Sequence, residues 1–331
     1  MDFNHLAEKK YEQKAAAWLN LWLSRSPEIL SMQLAKKHRP GETISACLWK
    51  SGAFNICYLV RYENGPDVIV RFAALGRAIL RREKVQIEVA TMKYIRKTTS
   101  INVPEVFGSG ICWAGPYIVM PFLEGVPLSQ LLQDPSSEGR PVLNPQISDR
   151  SLKRAYREMA ALILELSKHE FDSIGALEEN ERGFFVAKRP LTNMNELMVS
   201  ADLPEEAFPS HTFKSATDYF QGLVMQHLSH LRLQQQDAVS SEEDCRRKFT
   251  ARCLFLDITK KICTEDPQGP FRLYYGDLRP SNVLIDLDTF RISGVIDWEF
   301  TYAAPAEFTW VAPWWLLLHS PRTGRVMSTC F

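Results

Sequence analysis

The stretch YYGDLRPSNVLIDLDTFRISGVIDWEF, residues 274–300, decides how the rest of this chain is read. Asp277 is followed by Asn282 five positions on and by Asp297 twenty positions on. Short strand-forming runs, Arg272–Tyr275, Val283–Ile285 and Arg291–Ile296, precede and separate them. The pattern predicts a loop, a hairpin and a second loop. A carboxylate on the first loop can accept a proton from an attacking hydroxyl. An amide oxygen five residues on and a carboxylate beyond the hairpin can both reach one Mg²⁺, which takes oxygen ligands from one or two protein carboxylates and substrate phosphates. Phosphoryl transfer needs such a set: a base that orients the nucleophile and a metal that neutralises the β/γ-phosphate oxygens. An isolated D-x-x-x-x-N is mostly chance, and such residues often only cap turns. Three in order, with strands between them, are a sharper signal.

Working upstream, Ile44–Trp49, Asn55–Tyr62 and Asp67–Phe72 read as strands, with Asn64–Gly65 as a hairpin signal. A helix is predicted at about 78–97, where Val85, Val89, Met92 and Ile95 fall at helical spacing. Val106–Ile111 and Pro116–Phe122 add two strands. These make a small antiparallel α+β lobe over 42–124. Residues 1–41 read as a helical segment with an apolar patch at Leu19, Leu21, Trp22 and Leu23. The larger lobe, 125–318, is mostly helical: 152–169, 214–234 and 242–263, with a helical insertion at about 176–250 and a loop at 134–150. Residues 319–331 carry no helical period and read as an irregular tail.

The 331 residues fit two ordinary domains, and 45% apolar with 24% charged residues is globular usage. Lys+Arg 39 balances Asp+Glu 39, which argues against a nucleic-acid coat or a polybasic membrane anchor. No apolar run approaches the roughly 18–20 residues of a spanning helix, and MDFNHLAEKKYEQK does not read as a signal peptide. Seven cysteines without a C-x-x-C pair read as reduced thiols in a cytoplasmic protein.

The chain resembles the aminoglycoside phosphotransferase family, small-molecule relatives of protein kinases, over about residues 42–318. DLRPSNVLID (277–286) and GVIDWEF (294–300) are the most specific motifs, and RPLTNMNEL (189–197), DCRRKFTARCLF (244–255) and EFTYAAPAEF…PWWLLL (299–318) are similar to the fungal branch. The resemblance implies a two-lobed kinase-like fold with ATP in the cleft, Asp277 as catalytic base, and Asn282 and Asp297 as Mg²⁺ ligands. It also implies a phosphate-covering turn in KSGAFN (50–55), through Ser51, Gly52 and Asn55, although one glycine makes a weak phosphate loop. In VIVRF (68–72) the phosphate-gripping basic residue is Arg71 where the family usually has Lys. Its helical partner is Glu88, with Glu83 as the competing candidate. In PYIVMPFLEG (116–125), backbone groups near Met120 and Phe122 would meet the adenine edge, with Ile69 and Leu284 against the ring. Each of these apolar residues, taken alone, reads first as a plain core residue. The expected activity is transfer of the ATP γ-phosphoryl group to a hydroxyl of a small molecule; the alternative is a pseudokinase or a truncated scaffold of the same fold.

Besides Arg71, two further departures stand out. Many relatives read His-Gly-Asp where this chain has Tyr275–Gly276–Asp277, and the family continues with further helices after PWWLLL. The expectation is therefore an incomplete large lobe, with self-association or a partner through the apolar segment 310–318. Other residues carry less. His227 and His230 lie one turn apart without further ligands, Cys245, Cys253 and Cys263 read as packing residues, and CRRKFTAR (245–252) reads as a solvated basic face. Ser51 and Ser281 lack a local histidine for a hydrolase triad. Glu178, Glu179, Glu181, Glu205 and Glu206 could receive a cationic substrate, though solvated loop charge is the plainer reading.

Overall fold

The computed structural model describes residues 3–313 and 315, save 53, 77, 138–141, 192–193, 195–196, 199–201, 235–237 and 263–267, and save the side chains of 3–8, 260 and 262. Two helices open the chain, α1 (Phe3–Ser24) and α2 (Pro27–His38). Between them Ser26 takes a left-handed φ of 49°, and Pro27 starts the second helix, where its missing N–H costs nothing. Trp18 and Trp22, one turn apart, are buried and stack at 5.4 Å. Leu19, Leu21 and Leu23, expected as an apolar patch with Trp22, are exposed. Residues four apart share a helix face and sequence neighbours do not.

The small lobe is an antiparallel sheet of five strands, β1 (Thr43–Ser51), β2 (Asn55–Tyr62), β3 (Val68–Ala73), β4 (Gly108–Cys112) and β5 (Gly115–Pro121), in the order β1-β2-β3-β5-β4. Every residue of β3 is buried. Val68, Val70 and Phe72 join a core with Trp18, Trp22 and Leu34, so α1 and α2 cover the outer face. Ile69 joins a second core with Leu59, Met120 and residues of the large lobe. With a period of two, Arg71 must follow Ile69 onto the inner face, towards α3 (Arg81–Thr98).

The large lobe begins with β6 (Val126–Pro127), α4 (Leu128–Leu132) and α5 (Asp149–Ser167). The Ser148 hydroxyl caps α5, accepting from the Ser151 N–H at 3.1 Å. After β7 (Glu170–Phe171), the stretch expected as a helical insertion opens on a hairpin instead, β8 (Ala176–Asn180) with β9 (Gly183–Lys188). Its acidic run Glu178–Glu179 hides the strand pattern from a propensity reading. Helices α6 (Ala216–Leu233) and α7 (Glu242–Ile262) follow. Then come β10 (Phe271–Tyr275), β11 (Val283–Ile285), β12 (Ile292–Val295), β13 (Thr301–Ala304) and α8 (Glu307–Trp310). They form two small sheets, β13-β10-β7 and β12-β11-β6. The loops leaving β10 and β12 therefore emerge side by side under the small lobe.

Trp310 is 74% exposed, whereas Trp315 is buried and stacks on Tyr156 at 5.9 Å. Trp314, Leu316–Leu318, the tail 319–331 and Cys263 lie outside the described residues. Among the described residues no helix is long and apolar enough to cross a membrane.

Candidate active site

The two loops are tied together by backbone and side chain. The Ile296 N–H donates to the Asn282 carbonyl at 2.9 Å, which brings Asn282 beside the loop carrying Asp297. Asn282 is buried, and its Nδ2 donates to the Asp277 carboxylate and the Asp277 carbonyl, each at 3.0 Å. That fixes the amide orientation and leaves Oδ1 as an oxygen donor, the atom a hard cation takes. Asp277 also meets Arg279 at 3.3 Å. Burial raises its carboxyl above the ordinary value, against the Arg279 charge and the Asn282 bond.

Tyr275, in the position where the motif usually carries histidine, is buried and stacks on Trp298 at 4.7 Å. Its hydroxyl is held far above its ordinary pKa, first by burial and then by the Asp297 and Asp277 charges. It is therefore a permanent donor. Trp298 is itself fully buried and donates from Nε1 to the Val295 carbonyl at 2.9 Å, which anchors the second loop. Asp297 takes a left-handed φ of 66° and Phe300 one of 61°, conformations that tight packing must hold in place.

Above these loops, Arg71 reaches down from β3. It forms an ion pair with Glu88 on α3 and a second, at 3.1 Å, with Asp297. Glu83, the competing partner, turns away to Arg189 at 3.1 Å. Burial works against the Arg71 charge, but Glu88 and Asp297 outweigh it and raise its pKa. A further pair that the motifs did not single out, Lys84 and Glu299, lies alongside with both side chains buried. Two cations thus face three carboxylates, Glu88, Asp297 and Glu299. Burial, with Glu299 adding to it, pushes the Asp297 carboxyl up to about 7. The Asp297 side chain still keeps 28% exposure, so it forms the floor of the cleft rather than part of the core. A cluster in which carboxyl groups outnumber cations, with an oriented amide oxygen beside it, suits a divalent cation.

The remaining candidates fall less evenly. Ser51 ends β1, and the Gly52 N–H closes the turn onto the Asn55 carbonyl at 2.8 Å. Asn55 points inward: its amide donates to Glu299 and accepts from Lys84, each at 3.0 Å, so its polar atoms are engaged within the protein. Ile69, Met120 and Leu284 are buried. The Phe122 N–H donates to the Asp67 carbonyl at 2.8 Å, which removes it as a donor to a nucleobase. Trp49, missed in the sequence, is half exposed and meets Phe122 edge-on at 5.1 Å. A register shift in β1 between Leu48 and Lys50 re-aims it, and no sequence pattern announces such a bulge. Of the acidic residues, Glu178 pairs with Lys188, Glu179 with Lys93, and Glu205 with Arg189. A cavity of about 200 Å³ behind the first loop, lined by Ile163, Leu166, Tyr274, Leu278 and Phe308, contains none of the charged residues of the cluster.

Residues 49–308 match the model of the phosphotransferase enzyme family, which includes the aminoglycoside phosphotransferases. Among solved structures, an assigned aminoglycoside phosphotransferase from Ralstonia eutropha is similar with a TM-score of 0.52 and 14% identity, covering 94% of this chain and 73% of that one. The GDP complex of a mutant aminoglycoside 2'-phosphotransferase-IIIa has a TM-score of 0.51 and 15% identity, covering 86% and 76%. An assigned fructosamine-3-kinase from Haemophilus somnus has a TM-score of 0.51 and 15% identity, covering 85% and 75%. No curated protein matches the chain. The matched span takes in both loops, the Arg71 strand and the sheet strands β2 to β5, with the end of β1, and the chain belongs to the phosphotransferase enzyme family.

Proposed function

We propose that this protein is a cytoplasmic kinase that transfers the γ-phosphoryl group of ATP to a hydroxyl of a small molecule. The observation that carries the reading is the convergence of Asp277, Asn282, Asp297 and Arg71 in one hydrogen-bonded cluster between the lobes. Asn282 Oδ1 and the Asp297 carboxylate would hold Mg²⁺, which neutralises phosphate oxygens when bound. Arg71, fixed by Glu88, presents its charge to the phosphates. Asp277 orients the acceptor hydroxyl and takes its proton, the usual work of a positioned carboxylate. The purine lies between Ile69 and Leu284 against the Met120–Phe122 connector. Because the Phe122 N–H is engaged, the contact to the purine edge falls to the Phe122 carbonyl or to the following residue.

The experiment is a thermal shift with Mg-ATP. Nucleotide at 100 times Kd stabilises the folded state by about 2.7 kcal/mol. Asp297→Ala abolishes the shift. No shift in the wild type at millimolar Mg-ATP would rule the reading out.

A further inference from the structure

Three segments remote in sequence meet at one buried ammonium. Lys84, on the first turn of α3, is 3% exposed at its side chain. Its Nζ donates to Asn55 Oδ1 at 3.0 Å and pairs with Glu299. The triangle closes where Asn55 Nδ2 donates to Glu299 Oε2 at 3.0 Å. Beside the triangle, Phe54 at the tip of the β1–β2 turn packs edge-on against Phe300 at 5.6 Å. The Phe54 carbonyl accepts from the Ala74 N–H at 2.8 Å.

Lys84 and Glu88 lie one turn apart, on one face of α3. Through Glu88 the helix holds Arg71, and through Arg71 it holds Asp297. Through Lys84 it holds Glu299, two residues further along the same loop, and Asn55 at the base of the turn. The Arg71 pairs already join α3, β3 and the metal loop. What Lys84 adds is the turn. We propose that Lys84, Asn55 and Glu299 are positioning residues that set the height of the β1–β2 turn over Arg71 and Asp297, and thereby the affinity for a metal-bound nucleoside triphosphate. This rests on the kinase reading above. The three side chains are engaged with one another: the ammonium is buried and both its neighbours are protein groups. Stability alone is a poor reason to keep such a group, because well-packed apolar residues in place of a buried ion pair are often neutral or stabilising.

The test separates stability from positioning. Wild type, Asn55→Ala, Lys84→Met and the double variant Lys84→Met/Glu299→Leu are compared by urea denaturation, Mg-ATP titration calorimetry and hydrogen exchange without ligand. Lys84→Met leaves Glu299 buried without its cation and is expected to be the least stable; the double variant regains stability. Both the double variant and Asn55→Ala are expected to bind Mg-ATP about 10-fold more weakly, at the low end of what supporting residues around a metal site contribute. Asn55→Ala keeps the ion pair, so it answers the question even where the lysine variants fail to fold. Its Gly52 and Ala74 amides are expected to exchange about 10-fold faster than in the wild type, scaled to the affinity change. Wild-type affinity and exchange in Asn55→Ala, or wild-type affinity in a refolded double variant, overturns the inference and leaves the kinase reading standing. Failure of the wild type itself to bind Mg-ATP overturns both.

Discussion

The Tyr275 hydroxyl donates towards the carbonyl oxygens of Ile296 at 2.8 Å and Asp297 at 2.7 Å, and accepts from Asn282 Nδ2 at 3.2 Å. One phenol therefore joins the loop of Asp277 to the loop of Asp297, the work a histidine ring nitrogen could do from the same position. Tyr275→Phe keeps the stack on Trp298 and removes only the oxygen. Asn282 retains its Asp277 partners, but two part-buried carbonyl groups lose their donor. The expected cost is about 1–3 kcal/mol in urea denaturation, with weaker Mg-ATP binding. A variant as stable as wild type, with unchanged affinity, would show that Tyr275 serves the core alone.

Arg71 tests the charge balance of the cleft. Its guanidinium reaches Glu88 from one nitrogen and Asp297 from another, and Glu88 is fully buried. Arg71→Met strands that carboxylate, and breaking such a buried pair costs about 3–5 kcal/mol. Arg71→Lys keeps the charge but loses the two-pronged reach, and is expected to fall between wild type and Arg71→Met in urea midpoint. If Arg71→Met unfolds at the wild-type midpoint, the pair contributes nothing measurable to the fold.

Much of the architecture was legible because period and punctuation agree in this chain. The hairpin at Asn64–Gly65 sits where Gly65 takes a φ of 83°, a conformation glycine adopts freely. The α3 period and the β-branched runs of β2 and β3 likewise match their observed spans closely. The first loop, the hairpin and the second loop were legible from the spacing of Asp277, Asn282 and Asp297. The spacing favours Glu88 over Glu83 as the partner of Arg71, and the fold forms that pair, although both lie on one helix and only the third dimension sends Glu83 to Arg189 instead. Lys84 and Glu299 were missed for a related reason. Each reads as an ordinary surface charge, and burial follows only when residues 55, 84 and 299 are brought together. The β8–β9 hairpin was missed because acidic residues rank low as strand formers and its pairing is a tertiary matter.

Asp277 and the metal ligands are expected to separate by function. Asp277 is bonded to Asn282 and Arg279, whereas Arg71 pairs with Glu88 and Asp297. Asp277→Asn should bind Mg-ATP with nearly wild-type affinity and transfer phosphate about 10²–10⁴-fold more slowly, the range for removal of a positioned general base. The measurement pairs calorimetry with phosphate release over a panel of hydroxyl-bearing acceptors. Full turnover in the variant removes Asp277 as the base; lost nucleotide affinity instead moves it among the metal ligands.

His227 on α6 predicts an acid-sensitive step in stability away from the cleft. Burial first, and then the Arg252 and His230 charges, lower its pKa to about 4. The unfolded chain has the ordinary value of about 6.5, so it binds a proton more readily than the folded one between those limits. Stability from this group is complete above pH 6.5 and is lost as pH falls towards 4. A shift of that size corresponds to at most about 3 kcal/mol, reduced by the partial exposure of the ring. Urea midpoints measured from pH 7 to pH 4.5 should fall in the wild type and fall less steeply in His227→Leu, whose side chain fills the same space without taking up a proton. Parallel profiles for the two proteins would place the acid sensitivity elsewhere, since a group that does not titrate differently between folded and unfolded states contributes no slope.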